Sequence, residues 1–354
     1  MKIVVLGGGI STERHVALVT ATSVCRALRR LGHQAVFVDL FFGLENFQGT
    51  AEEAFLDPDG LCTEVKIEKQ VPDLKTVWSQ RKQKGKGHLG DRVAEVCSLA
   101  DCVFLGLHGK DGEDGKIQAL LELIGVAYTG SGPLASALAM NKAMAKRVLE
   151  GCGVRTPAWR ELHYTEADID RLSRELSVPC AVKVIDGGSS IGVRLPENRE
   201  ELRKALRDIL EVGNHIIVEE KIRGREITVP VLDGKALSPI EIVPQSGMDF
   251  DYVAKYQSGK EGGAAEICPA VLAEEDETQL KAMAEKVQRE LGLSVYSRSD
   301  FILDSDGKAW FLEVNTLPGM TPNSLIPKAA AVGGMSYDEL CERIVMLSVK
   351  TDRE

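Results

Sequence analysis

No apolar run in this 354-residue chain approaches the length of a membrane span, so a transmembrane helix is excluded. A surplus of positive charge is also missing. The 43 Lys and Arg are outnumbered by 53 Asp and Glu, for a net charge of −10. That balance excludes a general nucleic-acid or acidic-membrane binder, though not a local basic site for a phosphate-bearing small molecule. Eight cysteines occur without one CxxC pair. Scattered in apolar settings, they read as reduced, buried thiols of a cytoplasmic protein rather than disulfides or zinc ligands. MKIVVLGGG runs straight into a strand and a glycine turn, which is not the pattern of a secretory signal. There is no internal repeat, no GxGxxG and no GxxxxGK[ST].

What is present is ordinary in bulk, with 44% hydrophobic and 27% charged residues. The length exceeds one typical core and predicts two or three domains. KIVVL reads as a buried parallel strand. A helix, ERHVALVTATSVCRALRRLG, follows with Gly32 as its stop, then a second strand, QAVFVDL. This βαβ opening predicts a parallel α/β domain. DCVFLGLHGKDGEDG is another strand running into a glycine-rich loop. Loops 7 to 14 and 107 to 115 should therefore share the carboxyl ends of the strands, where open α/β sheets bind ligands. Residues 41 to 92 read as an excursion. Its basic patch, RKQKGKG at 81 to 87, reads as solvated surface, so deleting residues 78 to 90 should leave catalysis intact.

Three stretches suggest phosphate chemistry. In MNKAMAKRVLE, Lys142 lies in the first turn of a helix, where a cation opposes the dipole. It is either a solvated lysine or one aimed at an anion, which a helix N-terminus also favours. Lys183 sits in the apolar strand AVKV before GGSSIG. A Gly/Ser loop presents several N–H groups to a phosphate, and Lys183 would be costly to bury unpaired. Glu219 ends the strand IIVEE, and Glu226 lies in REITVPVL. Both are able to accept hydrogen bonds from a ribose or an exocyclic amine, and both also fit plain surface charges.

RSDFILDSDGKAWFLEVN, residues 298 to 315, reads as a hairpin with Asp306 and Gly307 as its loop. Arg298 then faces Asn315 and Asp300 faces Glu313, all on one side of the sheet. Like charges set opposite each other are destabilising. Either a longer loop shifts the register and separates them, or the pair is solvated, or a hard cation such as Mg²⁺ lies between these oxygen ligands.

The order of these features resembles the ATP-grasp ligases, and closely the D-alanine–D-alanine ligases. The resemblance is carried by GGISTER (8–14), GLHGKDGEDG (106–115), YTGSGPLASALAMNK (128–142), VKVIDGGSSIG (182–192), FDYVAKY (250–256) and RSDFILDSDGKAWFLEVNTLPGMTPNSLIP (298–327). It covers nearly the whole chain except the excursion. It implies an α/β and α+β ATP-grasp fold of three domains. These are an N-terminal α/β substrate domain at 1 to 131, a central subdomain at 132 to 218, and a C-terminal subdomain at 219 to 354 with a lid at about 243 to 269.

The resemblance also implies the activity, which is ATP-dependent joining of two D-alanines through an acylphosphate for peptidoglycan synthesis, by a cytoplasmic homodimer. Asp300, Glu313 and Asn315 would hold two Mg²⁺ ions, with Mn²⁺ as a substitute. Lys142, Lys183 and Lys255 would reach the phosphates. Gly188, Ser190, Glu219, Glu220, Ile222, Glu226 and Leu312 would complete the ATP site. Glu13 would hold the first ammonium, linked to Ser189 and Tyr256. Arg298 and the Gly319 N–H would bind the oxyanion, Ser324 and Leu325 the second carboxylate, and His108 would lie near the second D-alanine or simply tie down its loop.

The lid, KYQSGKEGGAAEICPA, departs from the family pattern after Lys255–Tyr256. Tyr256 favours a second D-alanine, and the altered lid leaves D-serine or D-lactate as the alternative. His15, Val184 and Lys221 also depart from common choices. A nucleotide binder without turnover is disfavoured by the complete metal set. A biotin-carboxylase-like enzyme is disfavoured by NTLPGMTPNSL, which suits an amino-acid carboxylate.

Overall fold

The structure is a computed structural model that describes residues 1–57, 59–62, 72–187, 192–243 and 264–351. Gly188, Ser189, Ser190, Lys255, Tyr256 and most of the expected lid lie outside the described residues.

Three sheets organise the described chain. The first is parallel, with strand Lys2–Gly7 between Gln34–Asp39 and Cys102–Leu105. All three strands are nearly continuous apolar runs, as expected where helices cover a parallel sheet. The glycines after the first strand have packing reasons. A Cβ on Gly7 would lie 2.4 Å from Ala21 Cβ of helix Arg14–Arg30, so only glycine lets helix and strand close up. Gly8 takes φ +66° hard against the Asp39 carboxylate. Arg14 clasps Asp39 at 2.5 Å and donates to the Gly9 carbonyl, which pins loop 7 to 14 to the end of the second strand.

The excursion is more ordered than expected. Phe41, Leu44, Ala51, Ala54 and Phe55 are buried against this domain, and two short helices, Ala51–Ala54 and Leu74–Gln80, lie within it. Lys84 and Lys86 are exposed. Arg81 instead turns inward, 4.6 Å over the Phe41 ring, with hydrogen bonds to the carbonyls of Gly87 and Leu89.

The second sheet is antiparallel, in the order Trp159–His163, His215–Glu220, Cys180–Val184, Val193–Arg194, with helices Ile169–Glu175 and Arg199–Leu210 over one face. The third is built on Arg225–Leu232, Tyr296–Leu303 and Ala309–Asn315, with Ile240–Val243, Ala265–Ile267 and Lys235–Ala236 added. Helix Glu274–Glu290 covers its far face through Leu280, Ala284 and Val287. The last helix, Tyr337–Lys350, packs on the first sheet. Leu340, Cys341, Ile344 and Val345 join that core, and an Arg30–Asp338 ion pair and a His33–Glu342 hydrogen bond edge the contact.

Candidate active site

The hairpin at 298 to 315 contains both registers weighed above. Arg298 faces Asn315 and Asp300 faces Glu313, but beyond that the pairing slips to Phe301–Phe311 and Leu303–Ala309. Leu312 is the extra residue of a β-bulge. The two-residue loop is thus corrected to three, Ser305–Asp306–Gly307, with Gly307 at φ +73° and its N–H bonded to the Asp304 carbonyl. A hairpin of this loop length ends in such a left-handed residue. The bulge absorbs the shift, so Asp300 and Glu313 keep one face and the Phe301 and Phe311 rings pack together. It also turns Leu312 toward the cleft, a known use of bulges beside functional sites.

Of the acidic pair, Glu313 keeps its side chain 26% exposed and Asp300 is only 7% exposed, so Asp300 is not solvated. Arg298 grips it with two bonds at 3.0 Å, and Thr228 donates to it at 2.5 Å. Asn315 Nδ2 donates to the same carboxylate at 3.4 Å. Glu313 is met from the other side by Lys142 Nζ at 3.1 Å. Lys142 starts helix Lys142–Gly151, capped by Asn141, and also donates to the Gly187 carbonyl at 2.6 Å. The lysine at the helix start is therefore aimed inward rather than solvated.

Facing this acidic sheet is a buried triad that the sequence only half revealed. Glu219 is ion-paired with Lys183 at 2.6 Å and with Lys146 at 2.9 Å, and all three are nearly excluded from solvent. Burial alone would pull Lys183 down. The carboxylates of Glu219, Glu313 and Glu226 outweigh that and hold it above the usual lysine value. Burial pulls Lys146 down, and Lys183 adds to the effect. Burial pushes Glu219 up, but the two lysines prevail and keep it ionised below its usual range. Lys146 lies one turn beyond Lys142 on the same helix face, a spacing that was legible but unread.

These groups meet around a cavity of about 810 Å³ between the two antiparallel sheets. Lys183, Glu219, Glu220 and Ile222 come from one side, and Glu226, Asp300, Leu312 and Glu313 from the other. Glu226 faces the cavity two places along the sheet from Asp300.

A second cluster lies at the end of the parallel sheet. Glu13, at the N-cap of the first helix, is buried and makes no cap bond. Its carboxylate comes so close to Gly109 that a Cβ there would sit 2.7 Å away. His108 is buried with both ring nitrogens engaged, Nδ1 by the Leu317 carbonyl at 2.9 Å and Nε2 by Thr20 at 3.1 Å. It ties the loop at 107 to 115 to the segment after the hairpin. Glu113, missed in the sequence, accepts from the N–H groups of Gly109 and Leu317. Burial and the charge of Glu13 push it up to about 7. Gly319 lies against Ser324, whose hydroxyl meets Thr321 and whose backbone caps helix Leu325–Val332.

Two antiparallel sheets closed over a cleft, with lysines from one and carboxylates from the other, define an ATP-grasp fold. Similar solved structures agree. The D-alanine–D-alanine ligase of Bacillus anthracis superposes with a TM-score of 0.72 at 29% identity, covering 99% of this chain and 98% of that one. The same enzyme complexed with ATP gives 0.70 at 26% identity, again with 99% and 98% coverage. The chain belongs to the D-alanine–D-alanine ligase family. Its residues 2–131 match the family's N-terminal model and 148–346 its C-terminal model. It is 38% identical to the D-alanine–D-alanine ligase of Pediococcus pentosaceus, over 98% of this chain and 97% of the relative. It is 39% identical to that of Lacticaseibacillus casei, over 98% and 95%.

Proposed function

We propose that this chain joins two D-alanines into D-alanyl-D-alanine at the expense of ATP, for peptidoglycan precursors, as a cytoplasmic homodimer. The observation that carries the reading is the cavity in which Lys183 and Glu219 face Asp300 and Glu313, within a chain so similar to named ligases. Among the described residues no helix is long and apolar enough to cross a membrane, which is consistent with the location.

ATP would fill the cavity with its adenine and ribose toward Glu219, Glu220, Ile222 and Glu226 and its phosphates toward Lys142 and Lys183. The Gly188–Ser190 loop and Lys255 are proposed to close on those phosphates. Asp300, Glu313 and Asn315 share one face of the sheet, Asp300 buried and the other two part-exposed, and their side-chain oxygens are a donor set that fits Mg²⁺ and also accepts Mn²⁺. Bound there, the metal supplies charge neutralisation for the phosphates.

The first D-alanine carboxylate attacks the γ-phosphorus, ADP leaves, and an acylphosphate remains. The second amine attacks its carbonyl carbon, the tetrahedral oxyanion collapses, phosphate departs, and the amine loses a proton. Glu13 would hold the first ammonium, with Ser189 and Tyr256 completing that link. Arg298 and the Gly319 N–H would stabilise the oxyanion. Ser324 and the Leu325 N–H, at a helix start where a carboxylate is favoured, would hold the second substrate beside His108. Holding both substrates converts a bimolecular encounter into an intramolecular step.

The test is phosphate release from ATP and Mg²⁺ with D-alanine alone, with dipeptide read by mass spectrometry. One dipeptide per phosphate is expected. Release only after D-serine or D-lactate is added would overturn the assignment of the second substrate.

A further inference from the structure

The excursion does not stop at the surface. Its aromatic residues form a line of contacts from the buried Phe41, with Trp78 tilted against Phe41 at 5.0 Å between ring centres and His88 edge-on to Trp78 at 5.6 Å. The line ends where His88 Nδ1 hydrogen-bonds Asp111 Oδ2. Facing a carboxylate, that nitrogen is the donor. Asp111 is buried within the loop at 107 to 115 and stands at φ +68°, a left-handed conformation that is uncommon outside glycine and that aspartate adopts more readily than most side chains. Lys116 holds its other oxygen at 3.0 Å and also meets Asp114 at 2.7 Å.

The turn gripped in this way is short and tight. The N–H groups of Gly112 and Glu113 both bond to the Gly109 carbonyl, and Gln118 takes the Gly112 carbonyl at 2.6 Å. His108 and Glu113 are the two ends of that turn, and both reach across to Leu317. A displacement at Asp111 would therefore move the wall on which the second substrate is proposed to rest, without touching the nucleotide cleft.

We propose that His88 is a positioning residue for the second D-alanine, acting through Asp111 on the loop that carries His108 and Glu113. The proposal rests on the functional reading above. It gives residues 78 to 90 a part in catalysis, against the expectation that they are dispensable surface.

The test is steady-state kinetics on full-length His88→Ala and His88→Asn, with ATP and D-alanine varied separately. His88→Ala should raise the half-saturating D-alanine concentration about tenfold and leave the KM for ATP and kcat within about twofold. His88→Asn, whose amide donates from nearly the same place, should return D-alanine saturation to within about twofold of wild type. If His88→Ala does not fold, His88→Phe keeps the ring on Trp78 and removes only the donor, and the same split is read on it. Equal shifts for ATP and D-alanine, no shift at all, or a failure of asparagine to rescue would each overturn the proposal. A wild-type chain that makes no dipeptide is a different result, because it removes the ligase reading and this proposal with it.

Discussion

Two parts of this molecule bury carboxylates close together, and they keep them there by different means. In the cleft, Arg298 is placed against Asp300, Lys142 against Glu313, and Lys183 and Lys146 against Glu219, which they hold below its usual range. At the end of the parallel sheet, Glu113 faces Glu13 and receives two backbone N–H groups. Burial dominates, and its carboxyl is pushed up to about 7. One cluster is balanced by cations, and in the other burial shifts Glu113 toward its protonated form. Cations suit a site that must take in phosphates and metal, because they can be re-shared with an incoming anion. A carboxyl that exchanges its proton near neutrality suits a site near an amine with one to lose, because its ionised form can take that proton.

The sharpest way to break the first arrangement is Glu313→Ala. Turnover should fall by about 10³-fold or more, the scale of losing one preorganised charge contact in a phosphoryl site. The thermal midpoint should stay near wild type, and near-normal phosphate release would refute the metal face. Lys146→Met should cost stability rather than chemistry. It strips one of two cations from the buried Glu219, and breaking a buried pair costs about 3 kcal/mol or more. Urea unfolding monitored by circular dichroism measures it, and a loss under about 1 kcal/mol would mean Lys183 alone suffices.

Glu113→Gln tests the second cluster. A carboxyl raised from its ordinary 4.5 to about 7 favours the fold while it is protonated. That stability is fully present below about 4.5 and is lost as pH rises through about 7. The glutamine variant should therefore show a flatter stability–pH curve between those limits, and an unchanged curve would place the titration elsewhere. The smallest effect is expected from Gly307→Ala, about 1 kcal/mol for a side chain forced into φ +73°. Activity should be retained, since the bulge at Leu312 rather than the turn sets the catalytic register.

Alternation of side chains along the strands made the Asp300–Glu313 pairing legible, yet it came from a loop one residue too short. The bulge supplied the missing residue, and nothing in FILDSDGKAWFLEV marks Leu312 as unpaired. Lys142 and Lys183 stood out because each violated a local rule, one at a helix start and one inside an apolar strand. Lys146 violated none, since a lysine in mid-helix normally reaches water, and only the tertiary position of Glu219 reveals it as buried. Glu113 was hidden among the acids of HGKDGEDG, where sequence cannot say which carboxylate turns inward. The excursion read as irregular because its helices are too short to show a period, although Phe41, Leu44 and Phe55 were available as core residues.

The last helix, Tyr337–Lys350, closes the core that the first strand opens. During synthesis the parallel sheet leaves the ribosome long before its covering helix exists, so the earliest part of the chain must wait for the latest. Long-range closure of this kind slows folding and leaves apolar surface exposed in the interval. A truncation just before Tyr337 would spare both ATP-grasp sheets and every catalytic candidate, and would still uncover the domain at the opposite end of the sequence. For this fold, the boundary between first and last domain is a matter of space and not of chain order.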